Sequence, residues 1–320
     1  NSNDQEVRCG PIVLPAGKKV TDMGSADELM DAVFNRLHYY ARIGAVSYNI
    51  AQQVIMDHRP DPTNSLLTEG PLQRGIDIQK FNKEDDMWPH VIPFGAINVS
   101  DSLAAVQKLV FDDKKYTMDE LLKALQANWA GYEEMRHDFL NAPKFGADID
   151  FADDWAIRFQ ARLTDTLSQV TDAWGNPCSM DGSTATVYVI FGMIAGASPD
   201  GRFGSAPLAD GTRSPMAGTD KDGPTAVLNS AAKFPCTHTE LFNQRFMPQF
   251  MEGDNRKLFA DYLREWFDTG TIPHIQFNVV GSDEMREAQA EPEEHADLIV
   301  RVAGFSAYFV DLSKPTQDSI

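Results

Sequence analysis

Near the C-terminus, residues 301–309 read RVAGFSAYF and place a single glycine, Gly304, in an otherwise apolar and aromatic stretch. A glycine in such a setting ordinarily marks a turn at which a Cβ atom would clash. Residues 275–280 and 184–191 are rich in β-favouring side chains, and each predicts a strand. Residues 291–303 favour a short helix. The C-terminal region is therefore predicted to carry a strand, helical segments and a tight turn.

A second group of segments is crowded with glycine, proline and aspartate. Residues 196–202 read GASPDGR, residues 206–211 read APLADG and residues 218–226 read GTDKDGPTA. Loops of this composition are either disordered or tightly built, because their residues have special backbone preferences. Interspersed apolar residues favour a built structure; they are Phe203, Leu208 and Met216.

Long helices account for much of the remaining chain. Two capping boxes, Ser25–Glu28 and Thr117–Glu120, mark the starts of helices that are predicted to run to about Met56 and about Leu140. A third long helix is predicted over residues 151–173, with apolar side chains along one face. Helices outnumber strands, and this balance predicts an α/β fold or a fragment of one.

Composition and charge exclude several classes of protein. The 320 residues are 42% apolar and include 28 Lys and Arg against 47 Asp and Glu, which gives a formal charge of −19. Nucleic-acid binding is disfavoured because phosphate backbones repel such a surface. A run of about 20 apolar residues, as a membrane span requires, is absent. The first residues lack the pattern of a signal peptide, so we expect a cytoplasmic location.

The cysteines and the generic catalytic motifs give little guidance. The odd, low cysteine count predicts free thiols in a reducing compartment; the three are Cys9, Cys178 and Cys236. Cys236 and His238 form a weak metal-like pair, but a packed thiol beside a surface histidine fits better because no further ligands lie nearby. The sequence has no G-x-G, no Walker A and no G-x-S-x-G motif. We expect no bound metal.

Taken together, the C-terminal block and the glycine-rich loops resemble the glycyl radical enzymes of the pyruvate formate-lyase and glycerol dehydratase kind. Residues 301–313 resemble the family's glycyl radical motif, and residues 274–280 resemble the strand that precedes it. The loop blocks within residues 199–226 match in order, as does the block at 101–105 with the capping box at 117–120. The resemblance runs from about Gly17 to the C-terminus.

The resemblance implies a fold and its division. It implies the C-terminal half of a ten-stranded α/β barrel, in which a five-stranded parallel half-barrel is wrapped by helices and followed by a glycyl radical loop domain. The implied bounds are a lead-in over residues 1–24, a half-barrel with its helical shell over residues 25–270, and the radical domain over residues 271–320.

The resemblance also assigns a role to Gly304. In the family, a separate S-adenosylmethionine iron–sulfur activase installs a radical on this glycine, which then takes hydrogen from a cysteine. Glycine suits the role because a side chain would crowd the planar radical carbon. Oxygen destroys such a radical, so we expect a dry, enclosed pocket. The neighbouring side chains that suit its lining are Val302, Phe305, Tyr308 and Phe309.

The family's thiyl cysteine has no counterpart here. It stands in a Gly-Cys context with Glu two residues later, and no cysteine of this chain has that context. Cys9 lies beside a segment that resembles a part of the family well downstream of the cysteine loop, so it is not expected to be the thiyl residue. The resemblance therefore implies a larger partner subunit that carries the cysteine and the other half-barrel, or else a cut or truncated chain.

Two positions depart from the family, and two other functions stay open. Tyr188 stands where many dehydratase-like members have histidine, so it is a candidate substrate-binding residue whose change alters specificity. Phe305 replaces a common tyrosine. One alternative function is a spare radical domain that rescues a damaged full-length enzyme without catalysis of its own; the other is a decayed structural subunit. The substrate and the reaction outcome (lyase, dehydratase, acyltransferase or reductase) stay undetermined.

Overall fold

The computed structural model describes residues 17–81, 90–180, 182, 186–235, 240–302 and 304–320. Within these ranges the chain is mostly helical. The α-helices are α1 Ala26–His58, α2 Pro62–Leu67, α3 Pro71–Arg74, α4 Ala96–Val106, α5 Met118–Gln126, α6 Glu133–Asn141, α7 Asp150–Ser168, α8 Val187–Ile194, α9 Pro224–Ala232, α10 Asn255–Thr269, α11 Ser282–Ala290 and α12 Lys314–Ser319. The β-strands are β1 His90–Val91, β2 Ser179–Met180, β3 Asn243–Phe246, β4 Gln276–Val279, β5 Ile299–Arg301 and β6 Ser306–Tyr308. None of the helices just given combines the length and the apolar character that a bilayer span needs.

The capping residues begin helices where the sequence predicts. The Ser25 hydroxyl accepts a hydrogen bond from the Glu28 N–H at 3.3 Å and starts α1. At the start of α5 the Thr117 hydroxyl accepts from the Glu120 N–H at 3.2 Å, while the Glu120 carboxylate accepts from the Thr117 N–H at 2.8 Å. Both arrangements satisfy backbone donors that a helix leaves free in its first turn. The predicted starts of these two helices are confirmed.

The predicted single helix to Leu140 is wrong, because the chain breaks it into α5 and α6. Between them Asn128 and Trp129 adopt φ angles of +52° and +66°, which no continuing helix allows. The break turns the Trp129 side chain into the core, where its indole N–H donates to the Arg202 carbonyl oxygen at 3.1 Å. Burial of the largest side chain of this region therefore outweighs local helix propensity.

Two further predictions of secondary structure are wrong. The strand predicted over residues 184–191 is the helix α8 over its described residues, and the helix predicted over residues 291–303 contains β5 instead. A short apolar run does not distinguish a strand from a buried helix by periodicity. At Gly192 of α8 an added Cβ would lie 2.4 Å from the Ala206 carbonyl oxygen, so this helix packs backbone to backbone against the glycine-rich loops.

The strands pair locally. β1 and β2 are parallel, β3 and β4 are parallel, and β5 and β6 are antiparallel. A single parallel bridge between Gly182 and Glu240 links the first pair to the second. The five-stranded half-barrel that we expected is therefore not present as one sheet in the described ranges. Strands of two to four residues end their ladders before the next strand can pair along its length.

Three apolar clusters form most of the core; the third, around Leu121, Trp129 and Phe139, joins α4, α5 and α6. α7 packs against α1 and α4 through side chains that include Phe34, Leu103 and Phe159. The second cluster joins α9 and α10 to β3 and β4 around Phe242 and Phe246. A smaller cluster, made by Ala288, Val300, Val302 and Phe309, packs α11 against the β5–β6 hairpin. This last cluster holds the C-terminal hairpin on the body of the protein.

A fully buried ion pair joins the helices to the sheet. Arg213 pairs with Glu240, and Gln160 of α7 donates to the same carboxylate. The Arg213 guanidinium also donates to three carbonyl oxygens, those of Ala231 at 3.1 Å, Thr271 at 3.0 Å and Pro235 at 2.8 Å. One side chain thus satisfies backbone acceptors at the ends of several elements, in a region that water does not reach.

Candidate functional site

The β5–β6 hairpin carries Gly304 in its connecting turn. Val300 pairs with Ala307 in the antiparallel register, and the Val302 N–H donates to the Phe305 carbonyl oxygen at 2.9 Å, which closes the turn. Gly304 has a φ angle of +83°, in the left-handed region that L side chains rarely adopt. Apart from Gly304 and its two chain neighbours, no atom of the described residues lies within 4 Å of a Cβ built at this position. Backbone torsion, and not the expected steric clash, is therefore what this turn requires of glycine.

The backbone N–H of Gly304 is held by a side chain from a different element. It donates to Oε1 of Gln276 at 2.8 Å, and Gln276 lies on β4, where it is almost fully buried. The same Oε1 accepts from Nε of Arg301 at 3.0 Å. Arg301 also reaches the hydroxyl of Ser306 at 3.3 Å across the hairpin. A polar network thus fixes the turn to the parallel strand pair.

This chain forms only part of the closed pocket that we expect around Gly304. Val302 and Phe309 are buried beneath the hairpin, as the lining requires. Phe305 and Tyr308 are 40% and 48% exposed, and Gly304 itself lies at the surface. Phe305 and Tyr308 therefore do not form a closed lining within this chain alone, and the lining of the assembled site stays a prediction. Tyr308 lies on the face of β6 opposite Ala307, which packs toward α11, and Phe305 lies in the turn before β6.

Tyr188, the candidate substrate-binding residue, lies on α8 and is almost fully buried. Its hydroxyl is within 2.9 Å of the Ser319 hydroxyl on α12. Burial raises the pKa of this phenol, so it stays protonated at neutral pH. Its side chain packs with Val189 and Leu241. The structure brings Tyr188 to the C-terminal helix, and no hydrogen bond found among the described residues joins it to the Gly304 turn.

Cys178 is the cysteine that the structure describes. It is buried in the cluster of α1 and α7, and burial together with the nearby Asp172 raises the pKa of its thiol. A buried, protonated thiol of this kind is a packing residue. Cys9, Cys236 and His238 lie outside the described residues. Across the ranges that the structure covers, no three His, Cys, Asp or Glu side chains are grouped to hold a metal ion.

The glycine-rich loops are ordered and packed, as their apolar residues predicted. The Arg202 guanidinium donates to the carbonyl oxygens of Phe203 at 3.0 Å and Ala206 at 2.7 Å, and it also contacts that of Gly196. Asp200 is buried and accepts from the Asn98 amide of α4 at 2.7 Å. These loops therefore fold around their own charged side chains and pack against α8.

Gln276 is the site residue that the analysis of the sequence missed. The pattern of residues 275–280 predicts a strand and gives no role to Gln276. A signal was nevertheless present, since Gln276 and Asn278 are polar residues within an otherwise apolar strand. Buried polar side chains have hydrogen-bond partners, so a buried glutamine on a strand predicts a specific partner. Which backbone group it would meet depends on the hairpin, and only the fold reveals that.

Two family models match the chain. Residues 4–192 match the model described as pyruvate formate lyase-like, and residues 209–310 match the model described as glycine radical. The first match alone covers more than half of the chain, and the second includes the whole β5–β6 turn with Gly304. The two matched regions meet near the glycine-rich loops.

Known relatives and a solved structure agree with these matches. The chain is 36% identical over 301 residues to trans-4-hydroxy-L-proline dehydratase of Clostridioides difficile, covering 92% of this chain and 38% of that protein. It is 35% identical over 310 residues to isethionate sulfite-lyase of Bilophila wadsworthia, covering 92% of this chain and 36% of that protein. The glycerol-bound B12-independent glycerol dehydratase from Clostridium butyricum superposes with a TM-score of 0.89 at 34% identity, covering 99% of this chain and 40% of that one.

The chain therefore spans about two fifths of the length of these relatives, and the part it matches is their C-terminal portion. Most of its helices and its Gly304 hairpin fall within the matched regions, and the glycine-rich residues 196–202 lie between the two. The chain belongs to the glycyl radical enzyme family, of which it carries a pyruvate formate lyase-like region and a glycine radical domain.

Proposed function

We propose that this chain is the radical-bearing part of a glycyl radical enzyme, in which Gly304 stores an unpaired electron and generates a thiyl radical on a cysteine of a partner polypeptide. The observation that carries this proposal is the position of Gly304 in the matched glycine radical region, at an exposed turn whose backbone a buried side chain holds. An α-carbon without a side chain is the one that can become planar with least crowding.

The proposed chemistry moves one hydrogen atom at a time. The radical at the Gly304 α-carbon takes a hydrogen atom from the partner's thiol, which forms a C–H bond at Gly304 and leaves a sulfur radical. The sulfur radical then takes a hydrogen atom from a C–H bond of a small organic substrate and leaves a substrate radical. The relatives named as dehydratases and sulfite-lyases support an elimination that follows, although lyase, acyltransferase and reductase outcomes share these steps.

The partner is inferred from what this chain lacks and exposes. Its described cysteine, Cys178, is packed in the core, and relatives of the family have more than twice its length. A group of apolar side chains on and beside α8 is here named the α8 patch. Its exposed members are Ile190, Phe191, Met193 and Ile194, and the half-buried Phe94 stacks on Phe191. Exposed apolar patches of this kind mark interaction sites.

Installation of the radical is assigned to a separate S-adenosylmethionine iron–sulfur activase. The exposure of Gly304 supports this assignment, because no atom lies within 4 Å of a Cβ built there and another protein can approach the carbon. Enclosure during turnover would then come from the partner, which would cover Phe305 and Tyr308 as well. Water and oxygen would be excluded only in the assembled enzyme.

Tyr188 remains a proposed substrate-binding residue. Its hydroxyl is occupied by Ser319 in this chain, so a substrate would have to replace that partner or use the rest of the ring. The rescue of a damaged full-length enzyme by this chain remains the second candidate function. The exposed Gly304 hairpin favours it, while the match that extends over residues 4–192 exceeds what a spare hairpin domain needs.

Anaerobic electron paramagnetic resonance tests the proposed function. We expect a doublet from the single α-hydrogen when the chain is incubated with its partner and a competent activase, and we expect Gly304→Ala to abolish it. Gly270→Ala is the matched control, because Gly270 also has a positive φ angle, +63°, and also has open space at its Cβ position. A doublet that survives in Gly304→Ala, or no doublet in the unaltered chain, contradicts the proposal.

A further inference from the structure

Gln276 accepts a hydrogen bond from the Gly304 N–H, and the hairpin does not need this hydrogen bond for its own closure. We propose that Gln276 is a positioning residue for the radical carbon, which holds the peptide plane on the N-terminal side of Gly304 through the Gly304 N–H. This inference rests on the proposed function of Gly304. It goes beyond that function because it names what fixes the geometry of the radical site.

Four hydrogen bonds fix the Gln276 amide. Its Oε1 accepts from the Gly304 N–H at 2.8 Å and from Arg301 Nε at 3.0 Å. Its Nε2 donates to the Val302 carbonyl oxygen at 3.2 Å and to Oδ1 of Asn243 at 2.9 Å. The orientation of the amide follows from its partners, because the first two groups only donate and the Val302 carbonyl only accepts.

The strand beneath this amide is rigidly placed. Gln276 is 5% exposed, and its own backbone N–H donates to the Phe242 carbonyl oxygen at 2.8 Å. β4, on which it lies, pairs with β3 over four residues in parallel register. A fully satisfied amide in a buried position has little freedom to rotate, so it transmits the position of the sheet to the turn.

Other contacts close the hairpin without touching Gly304. The Val302 N–H bonds to the Phe305 carbonyl oxygen, and the Arg301 N–H reaches Oδ1 of Asn278 at 3.4 Å. The bond from Gly304 to Gln276 is therefore additional to the ties that hold the hairpin in place. Because it acts on the amide next to the reacting carbon, it controls the torsion about the N–Cα bond of Gly304.

That torsion determines how far an unpaired electron spreads. Delocalisation onto the amide nitrogen requires the orbital at the α-carbon to lie parallel to the nitrogen lone pair, and this alignment is lost near 90°. Gly304 rests at φ +83°, so a delocalised radical requires rotation about this bond. Because Gln276 holds the Gly304 N–H, the nitrogen side of the N–Cα bond stays fixed while the other side rotates. The hyperfine coupling between the unpaired electron and the amide nitrogen then has a single value.

The first experiment measures the hydrogen bond in the full chain without any radical. Exchange of the Gly304 amide is followed by nuclear magnetic resonance on glycine labelled with ¹⁵N, with Gly304→Ala used to assign the signal. Loss of one hydrogen bond in Gln276→Met is expected to speed exchange by about tenfold. Asn278→Ala removes a hairpin contact that does not touch Gly304, so it should retain the protection. Equal exchange rates in Gln276→Met and the unaltered chain overturn the proposal.

The second experiment reads the radical itself. In the activated assembly, the hyperfine coupling to the ¹⁵N-labelled amide is expected to change or broaden in Gln276→Met and to stay near its original value in Asn278→Ala. Faster exchange with an unchanged coupling would make Gln276 a merely structural residue and overturn the inference. A doublet that is absent from the unaltered assembly instead contradicts the proposed function, and the assigned role falls with it.

Discussion

Gly304 has two separate reasons to be glycine. One is its left-handed backbone torsion, and the other is the planar carbon that the proposed radical needs. They can be separated because no atom crowds a Cβ at this position, whereas at Gly192 a Cβ would lie 2.4 Å from a carbonyl oxygen. We expect Gly304→Ala to lower the free energy of unfolding by about 1 kcal/mol, the cost of a left-handed torsion. Gly192→Ala is expected to cost more, up to about 3 kcal/mol, because the loop backbone must move.

Urea denaturation of both variants measures this difference. The order of the two effects is the informative result, since it reports whether Gly304 is required by packing or only by torsion. A Gly304→Ala variant that unfolds as readily as Gly192→Ala would show that the turn at Gly304 is crowded in solution, contrary to the structure.

A buried carboxyl on α4 predicts an unusual dependence of stability on pH. Asp101 is fully buried, accepts from the Phe145 N–H at 2.8 Å, and has no partner for Oδ2. Burial raises the pKa of Asp101 to about 7. The nearby Lys144 lowers this pKa, and the repulsion of Asp200 raises it. Between about pH 4 and pH 7 the folded chain therefore holds a proton that the unfolded chain has released.

The expected result is a free energy of unfolding that falls as the pH rises through this window, by at most about 1.4 kcal/mol per pH unit from this group. Asp101→Asn removes the titrating group and should flatten that slope, while Asp268→Asn, on the exposed surface of α10, should leave it unchanged. Denaturation curves at pH 5 and pH 7 decide the matter. A slope that is identical in Asp101→Asn and the unaltered chain contradicts the prediction.

At the scale of elements, the helices were predictable where local signals determine them. Caps at Ser25 and Thr117 are contacts within a few residues, so the sequence alone predicts them. The break at Trp129 and the helical state of α8 depend on long-range packing against the loops near Arg202 and Ala206. Propensity does not contain that information, and this is why those two predictions failed.

The buried pair of Arg213 and Glu240 is expected to be the most sensitive polar contact between elements. Both side chains are fully buried, and their hydrogen bonds reach Gln160 of α7 and the Ala231 carbonyl oxygen of α9. Glu240→Gln removes the buried carboxylate that pairs with Arg213, so we expect a loss of about 3–5 kcal/mol in the free energy of unfolding. Glu265→Gln, on the exposed face of α10, should change it by less than about 0.5 kcal/mol. Equal denaturation midpoints for the two variants would refute this.

The α8 patch is expected to contact the proposed partner. Ile194 is 77% exposed, so Ile194→Asp changes the surface and not the core. We expect this variant to fold normally by circular dichroism and to assemble with the partner at least about tenfold more weakly, since a buried unpaired charge is costly. Leu258→Asp, at another exposed apolar position on α10, serves as the control. Assembly that weakens only in Leu258→Asp places the interface elsewhere.

At the scale of the whole molecule, the chain is a folded part of a larger family architecture. The match to the glycerol dehydratase structure covers nearly all of this chain but only 40% of that structure. Its parallel strand pairs are short and its α8 patch is uncovered, so edges and apolar faces are left open. Surfaces of this kind are rarely stable alone in water.

We therefore expect the isolated chain to self-associate, and we expect its interface with the partner to exceed about 2,000 Å², as obligate interfaces do. Size-exclusion chromatography with light scattering tests this at several protein concentrations. A monodisperse monomer that shows no aggregation at any of them would contradict the expectation of obligate partnership.

The site could be predicted only in part. Gly304 was predicted from the motif around it, because the proposed radical chemistry depends on one glycine and on residues next to it in the sequence. Gln276 was missed because its contact with Gly304 links residues 28 positions apart through a hairpin. The exposure of Phe305 and Tyr308 was also missed, since the motif predicts a lining and does not reveal which polypeptide completes it.

The central claim is that the unpaired electron resides on the α-carbon of Gly304. Its most direct test is anaerobic electron paramagnetic resonance of the activated assembly, made with this chain alone labelled with ¹³C at the α-carbon of glycine. We expect a doublet that gains a large ¹³C splitting and is absent from Gly304→Ala. A radical signal that is insensitive to the label, or that persists in Gly304→Ala, would contradict it.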